Sequence, residues 1–136
     1  MTRRSPRKKV DAEFWQGRLR AGRDFLLAAR NAAALVEAGS NSDPAISLMV
    51  SAAIAYADAL TAQKAQVINQ QDHAAAPTLL RDVLNNTLPV AQQTRYRRIL
   101  GYKDQVQYDI RASTLDQAHR LLADLEDFAA WAEQQL

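Results

Sequence analysis

The chain predicts an all-α fold, an up-and-down bundle of four long helices plus one short helix. Three observations point there. The composition is rich in Ala, Leu, Gln and Arg with only four Gly and four Pro, so helix propensity is favoured almost throughout. Apolar residues recur at steps of three and four, and no sustained alternation of apolar and polar residues marks a strand. The stretch from Asp43 to Asn69 is apolar on more than one helical face, as a helix contacted from several sides must be. Residues 1–10 read as a disordered basic tail, and residues 11–136 as a single helical-bundle domain.

The first helix is predicted from Asp11 to Ala38, stopped by Gly39 and the polar turn after it. Its core seam is Trp15, Leu19, Gly22, Leu26, Ala29, Ala33 and Val36, with arginines 18, 20, 23 and 30 elsewhere on the circumference. Gly22 lies on that seam, which implies close approach of another helix, because glycine inside a helix costs about 1 kcal/mol relative to alanine. The central helix is predicted to run from Asp43 to Asn69, with Asp43 capping it and Pro44 at the first helical position, where a missing N–H is harmless. Ile46, Val50, Ala53, Ala57, Leu60 and Val67 form its main stripe.

A polar loop over Gln70–Ala76, carrying His73 at the surface, precedes a short helix from Pro77 to Leu84 and the turn residues Asn85, Asn86 and Thr87. Pro89 opens another helix through Val106, the most positive structured segment, with Arg95, Arg97, Arg98 and Lys103. Tyr108–Ala112 reads as a link. The last helix is capped by Ser113 or Thr114, the latter with Gln117 in a capping-box pattern, and buries Leu115, Ala118, Leu122, Leu125, Ala129 and Ala132.

The formal charge of +2 conceals an uneven distribution. Arg3, Arg4, Arg7, Lys8 and Lys9 supply five positive charges, while residues 10–136 carry 12 basic against 15 acidic side chains. A mildly acidic domain argues against wholesale nucleic-acid binding, although the tail itself can touch phosphates. The absence of cysteine excludes disulfides, thiol nucleophiles and thiolate metal sites, and fits a cytoplasmic location. No apolar run approaches the roughly 20 residues of a membrane span, so no membrane is expected.

Chemistry is sparse. A bundle di-iron site needs paired Glu-x-x-His motifs, and Asp116 with His119 supplies only one two-ligand pair, so neither metal nor cofactor is expected. No glycine-rich phosphate loop or nucleophile–base pair is present, and no catalytic residue is assigned.

Residues 100–136, LGYKDQVQYDIRASTLDQAHRLLADLEDFAAWAEQQL, resemble the C-terminal half of HEPN domains. Lys103, Asp104, Tyr108, Ser113, Ala118 and Phe128 follow that family's order of features, and the two long N-terminal helices fit more loosely. The resemblance implies a bundle of four or five helices, often dimeric. Its members act in RNA cleavage, in nucleotide binding, or as partners of a small nucleotidyltransferase in toxin–antitoxin and defence systems. Nuclease members carry an Arg and, a few residues on, a His; Lys103 and Gln107 stand there instead. Gln has no titratable group to help a 2′-OH attack phosphate, which sets a ribonuclease below the other readings.

The leading expectation is a non-catalytic association module, a homodimer with a possible nucleotidyltransferase partner. The alternative is a nucleotide- or RNA-binding protein using Arg95, Arg97, Arg98 and Lys103, with Tyr102 and Tyr108 as stacking surfaces and Asp104 and Gln107 alongside. A solvated helix face accounts for the same basic cluster.

Overall fold

The computed structural model describes residues 7–37, 40–70, 73–108 and 112–136, with residues 104–108 described by their backbone. Five helices make up most of the chain: α1 (Phe14–Leu35), α2 (Asp43–Ala65), α3 (Ala76–Leu84), α4 (Val90–Tyr108) and α5 (Leu115–Gln135). Among the described residues the fold is all-α apart from a two-stranded antiparallel ribbon, β1 (Arg7–Lys9) and β2 (Val67–Asn69).

Helix α2 is the hub, packing against α1, α3, α4 and α5. Its side chains explain this: Ile46, Met49, Ala52, Ala53, Ala55, Ala59 and Leu60 are inaccessible to solvent, and the small alanines admit neighbours on several faces. With 23 residues and a mean hydropathy of 1.6, α2 is long and apolar enough to cross a bilayer, which corrects the expectation that no segment approaches that size. Its apolarity is accounted for by burial, since 72% of its most apolar 18-residue stretch lies inside the bundle. As the seam predicts, Gly22 meets α2. A Cβ there would lie 3.0–3.2 Å from three ring carbons of Tyr56.

Several expected boundaries move. Helix α1 starts at Phe14, after a turn, so Asp11 does not cap it, and it ends at Leu35, where Val36 turns extended, short of the expected Ala38; Ala38 and Gly39 lie outside the described residues. Helix α2 stops at Ala65, four residues short of Asn69, because Gln66 turns left-handed at φ 54° and the β-branched pair Val67 and Ile68 enters the ribbon. The partner strand corrects the expected disorder over residues 7–9, residues 1–6 lying outside the described residues: Arg7, Lys8 and Lys9 pair with Asn69, Ile68 and Val67, and Arg7 also bonds Asp82 at 2.8 Å. A short 3₁₀ turn at His73–Ala75 leads into α3, which begins one residue before Pro77. Tyr108 closes α4 rather than opening the link, and residues 109–111 lie outside the described residues.

The ends of α2 and α5 are tied together. Ser42, not Asp43, holds the cap position of α2 and makes no side-chain cap bond. Asp43 instead accepts the backbone N–H of Ser113 at 3.0 Å, and Ser42 donates its own N–H to the Ser113 carbonyl at 3.2 Å. One residue on, Thr114 and Gln117 close the capping box in both directions, at 3.1 and 2.9 Å.

Candidate functional site

The residues singled out in the sequence lie along α4, and α5 decides what they can do. Helix α5 buries Ala118, Leu121, Leu125, Phe128, Ala129 and Ala132, and acidic side chains border this stripe on both sides. Toward α4, Arg98 donates to both carboxylate oxygens of Asp124, at 2.9 and 3.0 Å. Arg95 reaches Asp127 at 3.6 Å and lies 4.0 Å from Asp124. Toward α1, Arg30 meets Glu126 at 2.9 Å and Arg23 meets Glu133, which also accepts from Tyr56 at 3.5 Å. In both sets the α5 number falls as the partner number rises, so α1 and α4 each run antiparallel to α5.

Two of the three α4 arginines are therefore held by α5 carboxylates. Arg97 is exposed and has no carboxylate partner among the described residues. Tyr102 packs partly against the core rather than standing free as a stacking platform, and Lys103 is half-buried. Asp104, Gln107 and Tyr108 lie on the last turns of α4, with side chains outside the described residues. Among the described side chains of α4, what remains is one guanidinium without a carboxylate partner and one half-buried lysine.

Beneath α4 lies a polar cluster that the sequence reading passed over. Asp58, the only acid of α2 after Asp43, is largely buried, its side chain 13% exposed, and meets Arg18 of α1 at 3.2 Å. Burial pushes its carboxyl up to about 6, against the opposing pull of the Arg18 guanidinium. Tyr96, fully buried on α4, has its phenol pushed up by desolvation and then by the negative charge of Asp58. Its ring stacks on Phe128 with centroids 5.1 Å apart. Burial, followed by the charge of Glu133, likewise raises Tyr56 to about 12. A lone carboxylate inside an otherwise apolar helix was the available signal for Asp58. Its engagement with Arg18 gives it a structural role.

The histidines stand apart from α4. His119 is exposed on α5, while its neighbour Asp116 pairs with Arg120 at 2.8 Å. His73 is half-buried in the turn before α3. Among the described residues no group of three His, Cys, Asp or Glu side chains could hold a metal ion. No protein-family model matches the sequence, and no curated protein matches it.

Proposed function

We propose that this chain is a non-catalytic, HEPN-like association module, an up-and-down bundle that pairs with a second copy of itself and with a nucleotidyltransferase-type partner in a toxin–antitoxin or defence setting. The observation that supports the reading is the outer face of α1, which exposes Leu27, Ala34 and Leu35 although α1 lies at the edge of the bundle. Leu27 and Leu35 are 57% and 82% exposed, two of the three large apolar side chains that stand open to solvent among the described residues. The same face holds Arg20 and Asp24, exposed and without ion-pair partners among the described residues, so a twofold axis can set opposite charges across the contact. Sedimentation of the wild type should give a dimer at micromolar concentration, and Leu27→Glu with Leu35→Glu should return it to a 15.1 kDa monomer of unchanged helicity. A wild-type monomer would defeat the self-pairing.

Exposed Arg97 supports a second reading, weak nucleotide or RNA binding at α4. Arg97→Ala and Lys103→Ala should each weaken it. In either reading Gln107 supplies no proton shuttle, and single-stranded RNA should remain uncleaved; turnover abolished by Lys103→Ala or Gln107→Ala would overturn the non-catalytic assignment.

A further inference from the structure

The ribbon formed by β1 and β2, packed on α2 and α3, presents a positive corner. Arg7, Lys8 and Lys9 are all exposed, and neither lysine has a carboxylate partner among the described residues. The strand is not a loose tail. Its backbone pairs with residues 67–69, Val10 donates to the Gln66 carbonyl at 3.0 Å, and Arg7 is fastened to Asp82 on α3. Arg81, beside Asp82 on α3, is exposed and unpaired among the described residues, and Arg3 and Arg4 precede the strand in sequence. Among the described residues the opposing charges are Asp82, already engaged, and Asp11 and Glu13 beyond the strand's end. The remaining 127 residues carry a net charge of −3, so a polyanion is repelled by the domain and attracted at this corner.

We infer that this ribbon corner is a nucleic-acid contact surface, in which Lys8 and Lys9 bind backbone phosphates without reading sequence. Lysines on a sheet edge also serve to deter pairing with other chains. Here, however, strand pairing and the Arg7–Asp82 bond have already fixed the backbone that carries them, so less ordering is left for phosphate contact to offset. A phosphate-bearing membrane is disfavoured because the three strand side chains are all cationic and none offers an apolar anchor.

The test is fluorescence anisotropy with labelled single-stranded RNA and DNA and with duplex DNA at stepped salt, alongside phosphatidylserine vesicles. Each single-strand phosphate contact adds about 0.7 to the salt slope, which at 0.1 M salt is roughly fivefold in affinity. The expected result is binding that Lys8→Ala with Lys9→Ala weakens about 25-fold while circular dichroism and the affinity of Arg97→Ala stay as in the wild type. No binding by the wild type, equal binding by the double variant, a loss confined to Arg97→Ala, or binding to vesicles alone would each overturn the assignment.

Discussion

The two borders of α5 are built from the same chemistry and do different things. On the α1 side, Arg23–Glu133 and Arg30–Glu126 are separate pairs with both partners well exposed. On the α4 side, Asp124 is only 17% exposed, is approached by Arg95 and Arg98, and sits beside the stacked pair of Tyr96 and Phe128. An exposed ion pair contributes about 0–1 kcal/mol, whereas a carboxylate shared by two guanidiniums at the edge of a core contributes more. The lesson for α4 is that counting arginines overstates a binding face. Two of them are engaged by α5 carboxylates, Arg98 while its side chain is still 54% exposed, and only Arg97 has no such partner among the described residues.

The largest expected effect is at the α4 border: Phe128→Ala removes a fully buried ring from its stack with Tyr96 and should cost about 3–5 kcal/mol in chemical denaturation. A smaller loss would mean the α4 border is less well packed than the α1 border. On the α1 side, Gly22→Ala drives a methyl against the buried Tyr56 ring and should cost about 1–3 kcal/mol. Gly17→Ala, with open space around it, should stabilise the same helix by up to about 1 kcal/mol, and equal effects at the two glycines would refute the close approach.

Asp58 gives the pH dependence. Its carboxyl titrates at about 6 when folded against 3.8 for the ordinary group, so the folded state binds the proton more readily. This contribution favours folding most below about pH 4, declines as pH rises to about 6, and amounts to about 3 kcal/mol. Unfolding free energies at stepped pH should therefore fall more steeply in the wild type than in Asp58→Asn; parallel curves would remove the buried carboxylate from the account. Finally, Asp124→Asn should cost about 1–2 kcal/mol and Glu126→Gln under about 0.5 kcal/mol, and a reversed order would cancel the contrast between the borders.

What the sequence makes legible is local. The seam of α1 marks Gly22, the spacing of Thr114 and Gln117 marks the capping box, and the all-round apolarity of α2 marks its burial, because each depends on neighbours within a few turns. The ribbon escapes such reading: three-residue strands near positions 8 and 68 carry almost no pattern, and the basic residues of β1 resemble a solvated tail. The partners of Arg95, Arg98 and Asp58 are likewise long-range choices. Acidic residues bordering the α5 stripe were visible, but not which helix would lie against each border. For the proposed site on α4, sequence supplied the residues, and packing supplied their availability.

The clasp between Asp43 and Ser113 has a kinetic consequence. It joins positions 70 apart in the chain, and closing a flexible loop of that length costs about 4 kcal/mol of entropy, whereas α1 and α2 meet across a short turn. Folding that begins with local contacts therefore builds the α1–α2 hairpin first and seats the start of α5 afterwards. The reverse holds for opening: the first turn of α5 is the natural place for the bundle to begin to come apart, with α1 and α2 still paired. Amide hydrogens at the start of α5 should then exchange through a smaller opening than those of Ala52–Leu60, at the heart of α2.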